Sequence, residues 1–498
     1  MTDAFWMAEK SRKICKRIVI EGELVLETPA HLGSGEVGDL TDMPLLVAPD
    51  DGKTPLLTGA SIAGAMRSYL RAREFGWNKS MPSMNNSIDL TRERNSASVR
   101  LFGGFRTDDD GDQSDLIVED SYCESSFTPK EIRSGVRILA DSRTAKDNFL
   151  YNAEYWSAGL RFPLRMELLF RKDVPEAELR RALASALEGF ENGEIGLGAR
   201  RRRGFGKCRV SQWHVAEYDL LQPNGLLGWL EQDISGKKSG EKISELLGVK
   251  ETIPDQRRKF TIGAFLVVED TLMIRSSTGQ ADSADLVHLH SYRPEIGSIQ
   301  VVSGSSLAGA LRARARRIAL TLQLKQAEEW VDQLFGQQDL EDGKKTPQAS
   351  RIWVEESIVQ GAQTMDEELV QNRVKINRFT GGAFETALFN EQPVFQTGNT
   401  RLCLKIQLMD PEDAQIGIVL LLLKDLWLGD LPLGGESGIG RGRLKGESAT
   451  LELVQITNSK IWKFSQTTDR NLKFTEGSPE ELEYYISTLI NLREVNHE

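Results

Sequence analysis

The residues of this chain best suited to chemistry are cations set beside glycines, and they occur in pairs. Two near-identical phrases carry the first pair: Gly59-Ala60-Ser61-Ile62-Ala63-Gly64-Ala65-Met66-Arg67 and Gly304-Ser305-Ser306-Leu307-Ala308-Gly309-Ala310-Leu311-Arg312. Each has a Gly-Ser entry able to cap a helix, apolar residues at helical spacing, and arginines further in. A helix with an open start presents unpaired amides and the positive end of its dipole, which suits an anion such as phosphate. Two Gly-rich loops continue the theme. One runs Gly196-Leu197-Gly198-Ala199, then Arg200, Arg201, Arg202 and Arg203, then Gly204-Phe205-Gly206-Lys207; the other is Gly438-Ile439-Gly440-Arg441, with Arg443 two residues on. Glycine lets the main chain approach phosphates, and Arg and Lys neutralise them. Two further stretches, Val136-Arg137-Ile138 to Leu150-Tyr151 and Val374-Lys375-Ile376 to Leu388-Phe389, mix cations with aromatics in the manner of extended hairpins. Their rings can stack on bases or wedge between them.

Other chemistries fit less well. Cys15, Cys123, Cys208 and Cys403 are scattered without a C-x-x-C or a histidine at zinc-site spacing, so buried thiols are expected. His288-Leu289-His290 would place two imidazoles on one side of a strand, but no third ligand is visible, and a loop or surface feature is expected there. Neither Gly-rich loop follows a buried parallel strand with an acidic residue about 20 positions on, so a dinucleotide site is set aside. A net charge of −11 argues against a uniformly basic surface, yet a basic groove on an acidic body is compatible with it. The longest apolar run, Ile416 to Leu423, is far too short to cross a bilayer, and the start of the chain has no leader-like apolar segment; a cytoplasmic protein without membrane partners is expected.

The elements that must position these residues occur twice. With 498 residues the chain suggests two to three domains. Leu101-Phe102-Gly103 recurs as Leu334-Phe335-Gly336, and Leu116 to Ser121 recurs as Ile352 to Ser357. The alternating strand of Leu164, Met166, Leu168 and Phe170 recurs as Leu402, Leu404, Ile406 and Leu408; the helix start Pro175-Glu176 recurs as Pro411-Glu412. Gly204-Phe205-Gly206-Lys207 is matched to Gly438-Ile439-Gly440-Arg441. Landmarks in one order at nearly one offset mark a tandem duplication. Each unit reads β-α-β-β-α-β with a hairpin inserted, an α+β, ferredoxin-like (RRM-like) plan. The expected division is 1–217 and 258–458 for the two domains, 218–257 for a linker with one short helix, and 459–498 for a polar tail. That tail ends in a helix, Pro479 to Leu492, whose apolar face docks on this chain or on a partner.

Together, the twin Gly-[Ala/Ser]-Ser-[Ile/Leu]-Ala-Gly-Ala-x-Arg phrases, the hairpins and the C-terminal Gly-rich loops resemble the RAMP superfamily of CRISPR proteins. The similarity is greatest to the backbone subunits of type III effector complexes, and it covers nearly all of residues 17–215 and 258–457. It implies a subunit that lies along a guide RNA, with a thumb hairpin per unit that kinks the guide and its paired target at regular intervals. The implied partners are the guide RNA, the complementary target RNA and other effector subunits, including further RAMP proteins and a large signalling subunit. In ribonuclease members an Asp on the loop before the Gly-Ser helix, commonly followed by x-Pro, cuts the target with a divalent metal. Asp42-Met43-Pro44 matches that pattern. Asp285-Leu286-Val287 holds the corresponding place, 19 residues before Gly304 against 17 for Asp42 before Gly59, without the proline and with Asp282 nearby. The resemblance thus implies Asp42 and Asp285 as catalytic and metal-binding residues, with Mg²⁺ or another divalent ion. It also implies phosphate contacts from His31, Arg67, Arg312, Arg200 to Arg203, Lys207, Arg441 and Arg443, with Arg137, Arg143, Lys375 and Arg378 flanking the thumbs. Two other readings stay open: a purely architectural RNA-binding subunit, and a metal-free guide-processing endoribonuclease with a histidine base, which the scarcity of loop histidines disfavours.

Overall fold

The computed structural model describes residues 13–35, 41–77, 96–104, 113–139, 141–142, 144–172, 174–233, 236–276, 284–337, 348–362, 369–469 and 471–493. Arg143 and Asp282 lie outside these residues, as does part of the loop leading to Asp42.

In the first half, strand Ile14–Leu26 is central. It pairs antiparallel with Arg161–Arg171 on one side and Cys208–Asp219 on the other, and Leu116–Val118 pairs beyond Arg161–Arg171. The register sets Ile20 opposite Met166 and Val215, so alternate residues of three strands converge on one face. Helices Gly59–Phe75 and Glu176–Glu191 cover that face, burying Ile62, Met66, Leu70, Leu183 and Leu187 against it. Each aliphatic side chain so buried contributes about 1.5–3 kcal/mol.

The second half repeats the plan. Lys259–Val268 pairs with Arg401–Met409 and Leu444–Val454, setting Ile262 opposite Ile406 and Leu451. Ile352–Val354 and Ser357–Gln360 both pair with Arg401–Met409, and helices Gly304–Thr321 and Asp413–Trp427 close the core. Both halves therefore show the strand order second, third, first, fourth, which β-α-β-β-α-β connectivity requires of one antiparallel sheet. Each half also inserts an antiparallel hairpin after its second strand: Lys130–Ile138 with Ala145–Trp156, and Gln371–Ile376 with Ala383–Gln392.

Three expectations change. The stretch read as a tail is not separate, because Ser459–Gln466 and Leu472–Glu476 extend the second sheet. Its helix, Pro479–Ile490, lies on Asp413–Trp427 of the same chain, burying Leu482, Tyr485 and Leu489. This explains the continuous apolar run Ile416 to Leu423 of Asp413–Trp427, which is covered by the sheet and by another helix at once. The stretch read as a linker packs on the first half, adding strand Lys238–Gly240 to its sheet and burying Ile243 and Leu247 in its core. His288 is no surface residue. It is wholly buried, accepting at Nδ1 from the Ile274 amide (3.2 Å) and donating from Nε2 to the Val301 carbonyl (3.0 Å); burial pushes its pKa down to about 4, so the imidazole stays neutral. Among the described residues no helix is long and apolar enough to cross a membrane.

Candidate nucleic-acid interface

The two aspartates occupy equivalent places. The exposed Asp42 carboxylate accepts from the Asn152 amide at 2.8 Å, while the Asp42 amide donates to the Asn152 carbonyl at 3.1 Å. The exposed Asp285 carboxylate accepts from the Asn390 amide at 3.0 Å, and the Asp285 amide donates to the Asn390 side-chain oxygen at 2.6 Å. Met43 then forms a parallel bridge to Ala153, as Leu286 does to Glu391. In each half an aspartate loop is thus laid along the same edge of the same hairpin strand. The missing proline at Val287 does not disturb this, since the register comes from the backbone.

Beside Asp42 lies a cleft of about 470 Å³, lined among others by His31, Gly33, Pro44, Thr58, Ser61 and Gly198. His31 is 5% exposed; its Nδ1 donates to the Glu154 carbonyl at 2.7 Å and its ring meets Tyr155 edge-on. That bond leaves Nε2 as an acceptor facing Gly33, so the expected phosphate contact from His31 would require a protonated ring. The helix starts also differ from expectation. The caps are the residues before the glycines, Thr58 and Ser303, which accept from the amides of Ser61 and Ser306. Neither start is open: the Gly59 amide donates to Asp120 at 2.7 Å, and the Gly304 end is covered by the first half's arginine loop. A Cβ on Gly304 would come 2.2 Å from the Arg203 carbonyl oxygen, and one on Gly204 would come 2.4 Å from the Glu356 nitrogen. Glycine at both positions is what lets the halves meet.

Many of the expected phosphate cations bond within the protein. Arg67 donates to the Gly103 carbonyl at 3.0 Å, and Arg312 to the Gly336 carbonyl at 2.7 Å and to Asp332, tying each Leu-Phe-Gly helix end to the first helix of its unit. Arg201 donates to the Gly196 carbonyl. Arg203 reaches across to the Phe335 and Ile352 carbonyls, and burial beside Arg312 lowers its pKa to about 10. Arg202 is partly buried, which holds its pKa below the usual value. Lys207 pairs with Glu355 of the second half at 2.6 Å. Arg441 is 4% exposed and clamped between Glu391 and Glu436. The Gly-rich loops themselves align two residues away from the sequence match: Gly204 and Gly206 have φ 83° and 69°, and their counterparts are Gly440 and Gly442, at 92° and 79°. Arg441 therefore stands where Phe205 stands, and Arg443 is the counterpart of Lys207. Exposed are Arg201, Lys375 over Phe384, Arg378, and Arg443, which is 53% exposed beside Glu269 at 3.7 Å; Arg137 over Phe149 and Arg200 over Tyr151 are half-buried.

Alanine at Arg67 or Arg312 is accordingly expected to lower stability by about 1–3 kcal/mol, through the carbonyls left unpaired, and to leave RNA affinity within about twofold. Denaturation and filter-binding titrations check this; a large affinity loss at unchanged stability would contradict it.

Two features escaped the sequence. Each hairpin shows an exposed apolar patch, Val136, Ile138 and Leu150 at 44, 52 and 69% exposure and Val374, Ile376 and Leu388 at 46, 58 and 70%. Period-2 alternation on the hairpin strands was the signal that could have found it. The other is an ion cluster between the halves, in which buried Arg133 of the first hairpin meets Glu131, Glu356 and Ser291.

The family described as the RAMP superfamily matches residues 23–209 and 285–445, one segment in each half. No curated protein matches the chain.

Proposed function

The chain belongs to the RAMP superfamily, a family of CRISPR-associated RNA-binding proteins, and from that membership we propose a double backbone subunit of a type III effector complex that cleaves target RNA at two spaced positions. The observation that carries the proposal is the twin anchoring of Asp42 and Asp285 on the amides of Asn152 and Asn390. The guide lies along both halves, and the hairpins act as thumbs. Their apolar patches part the guide–target duplex, at a cost of a few kcal/mol per unstacked step. Arg137, Arg200, Lys375, Arg378 and Arg443 face the phosphates, which explains how a chain of net charge −11 grips RNA locally. The partners are the guide, its complementary target and neighbouring effector subunits, including further RAMP proteins and a large signalling subunit.

Each aspartate is oriented by a backbone amide and open to solvent, so it can meet a nucleotide displaced at the kink. A displaced nucleotide can bring its 2′-hydroxyl in line with the adjacent phosphate, and holding it there contributes much of the rate. Among the described residues no group of three or more His, Cys, Asp or Glu side chains could enclose a metal. A lone exposed carboxylate suits Mg²⁺, which keeps several waters and completes its shell on substrate phosphate. Asp42 and Asp285 would hold such an ion, and its chemistry would be Lewis-acid stabilisation of the departing oxygen.

The test is guide-directed cutting of an end-labelled complementary RNA by the assembled complex. Two products are expected with Mg²⁺ and none with EDTA, guide binding being retained in both. Cutting that survives EDTA would overturn the metal-dependent reading; guide binding with no cutting under any condition would make the subunit architectural.

A further inference from the structure

Next to each aspartate anchor, one residue along the hairpin strand, a cation stacks on an aromatic ring, and the two halves build that pair from different elements. In the first half Tyr151 precedes Asn152, and the Arg200 guanidinium lies 4.5 Å over its ring while donating to the Tyr155 hydroxyl at 3.2 Å. Tyr151 faces Gly135 across the hairpin, where a Cβ would come 2.0 Å from the phenol oxygen. The ring fills space that glycine leaves. In the second half Phe389 precedes Asn390 and faces Arg373 across the same register, with the guanidinium 5.4 Å from the ring. Arg373 therefore stands where Gly135 stands. Glu436 stands where Arg200 stands, both in left-handed backbone at φ 63° and 58° and both opening a short 3₁₀ turn. The cation has moved from loop to hairpin while the stack persists.

What differs between the halves is how the donors of the stacked arginine are used. Arg373 pairs with wholly buried Glu391 at 2.9 Å and with Glu436, and Glu436 is also held by Arg275 and Arg441. Among the described residues Arg200 makes no ion pair, and its guanidinium meets the two tyrosines. A guanidinium seated over a ring, with one nitrogen on the Tyr155 hydroxyl, keeps its other donors for the fork that matches phosphate.

We propose that Arg200, propped on Tyr151, is a positioning residue of the first cutting site alone, holding an RNA phosphate beside Asp42. The second site lacks this contact because carboxylates occupy the donors of its stacked arginine. The inference rests on the target-cleaving reading above and deepens it: the two cuts proceed at unlike rates and with unlike sensitivity to salt.

Arg200→Gly separates the guanidinium from the turn, since glycine adopts the left-handed conformation freely. Arg200→Lys keeps a charge without the flat fork. Single-turnover rates of each product are measured in the assembled complex at two salt concentrations, using guide-complementary RNA. In Arg200→Gly the first-site rate is expected to fall about tenfold or more, with the second-site rate unchanged in the same reaction. The first site's salt slope should shrink by about one phosphate contact, and Arg200→Lys should recover part of the rate. An unchanged first-site rate in Arg200→Gly, with that product still dependent on Asp42, overturns this inference and leaves target cleavage standing. Equal losses at both sites overturn it as well, because they indicate a shared defect in guide binding. If no product depends on Asp42 in the parent protein, the target-cleaving reading fails first and the inference with it.

Discussion

Arg133→Ala is expected to lower the stability of the joined halves by about 3 kcal/mol or more and to make their unfolding separable. Arg133 belongs to the first hairpin, yet its guanidinium is 7% exposed and sits among groups of both halves: Glu131 at 2.7 Å, Ser291 at 2.9 Å, and Glu356. Glu356 is itself 2% exposed and also accepts from Arg293 at 2.7 Å. Removing Arg133 leaves a buried carboxylate with half its partners, and it leaves Glu131 bound to Ser291 and the Tyr292 amide without a neutralising charge. Arg293 remains, which places the expected loss near the lower end for a broken buried pair. Burial opposes ionisation of Glu356, but Arg133 and Arg293 outweigh it and hold its carboxyl below the ordinary range. A depressed carboxylate stabilises the fold above the ordinary glutamate pKa and loses that contribution as pH falls through the lowered value, so wild type should weaken in acid more than the variant does. Urea titrations at neutral and acid pH check both statements. An unchanged midpoint in Arg133→Ala would show that the interface is held elsewhere.

What could be read from the sequence, and what could not, follows the distance over which each feature is determined. The duplication was legible because strands and helices repeat locally: Leu164 to Phe170 and Leu402 to Leu408 announce the same half-buried strand, and Ile20 and Ile262 take the same place between neighbours in the two sheets. The Gly-rich loop slipped by two residues because Gly438-Ile439-Gly440-Arg441-Gly442-Arg443 offers two overlapping frames, and only backbone angles choose between them. The structural bonds of Arg67 and Arg312 are hidden from the sequence for another reason. Their carbonyl partners, Gly103 and Gly336, lie 36 and 24 residues downstream, beyond any periodicity argument. The contact between halves was illegible altogether, since Arg203, Gly204 and Gly304 look like ordinary loop and cap residues until the second half is laid against them. The equivalence of Asp42 and Asp285 came from loop position and family resemblance. The shared hairpin anchor, Asn152 and Asn390, adds a geometric reason for it.

The second large effect is expected at those aspartates. Asn is the informative substitution, because its side-chain oxygen can still accept from the Asn152 or Asn390 amide and the loop should stay in place. Only the negative charge is lost, and with it the capacity to hold a cation and to draw on the 2′-hydroxyl proton. A loss of about 10² to 10⁴-fold in rate at the affected position is expected, the range for removing a positioned acid–base group. Guide affinity should be unchanged, since neither carboxylate attracts phosphate. Stability should shift by well under 1 kcal/mol, both residues being exposed.

The most direct measurement is to map, at single-nucleotide resolution, the cuts made in one guide-complementary RNA by the wild type, Asp42→Asn, Asp285→Asn and the double variant. Two cuts at a fixed spacing are expected from the wild type, each single variant losing one of them and the double variant losing both while still binding guide. Retention of both cuts in the double variant, or loss of both in either single variant, would contradict a duplicated module with one cutting position in each half.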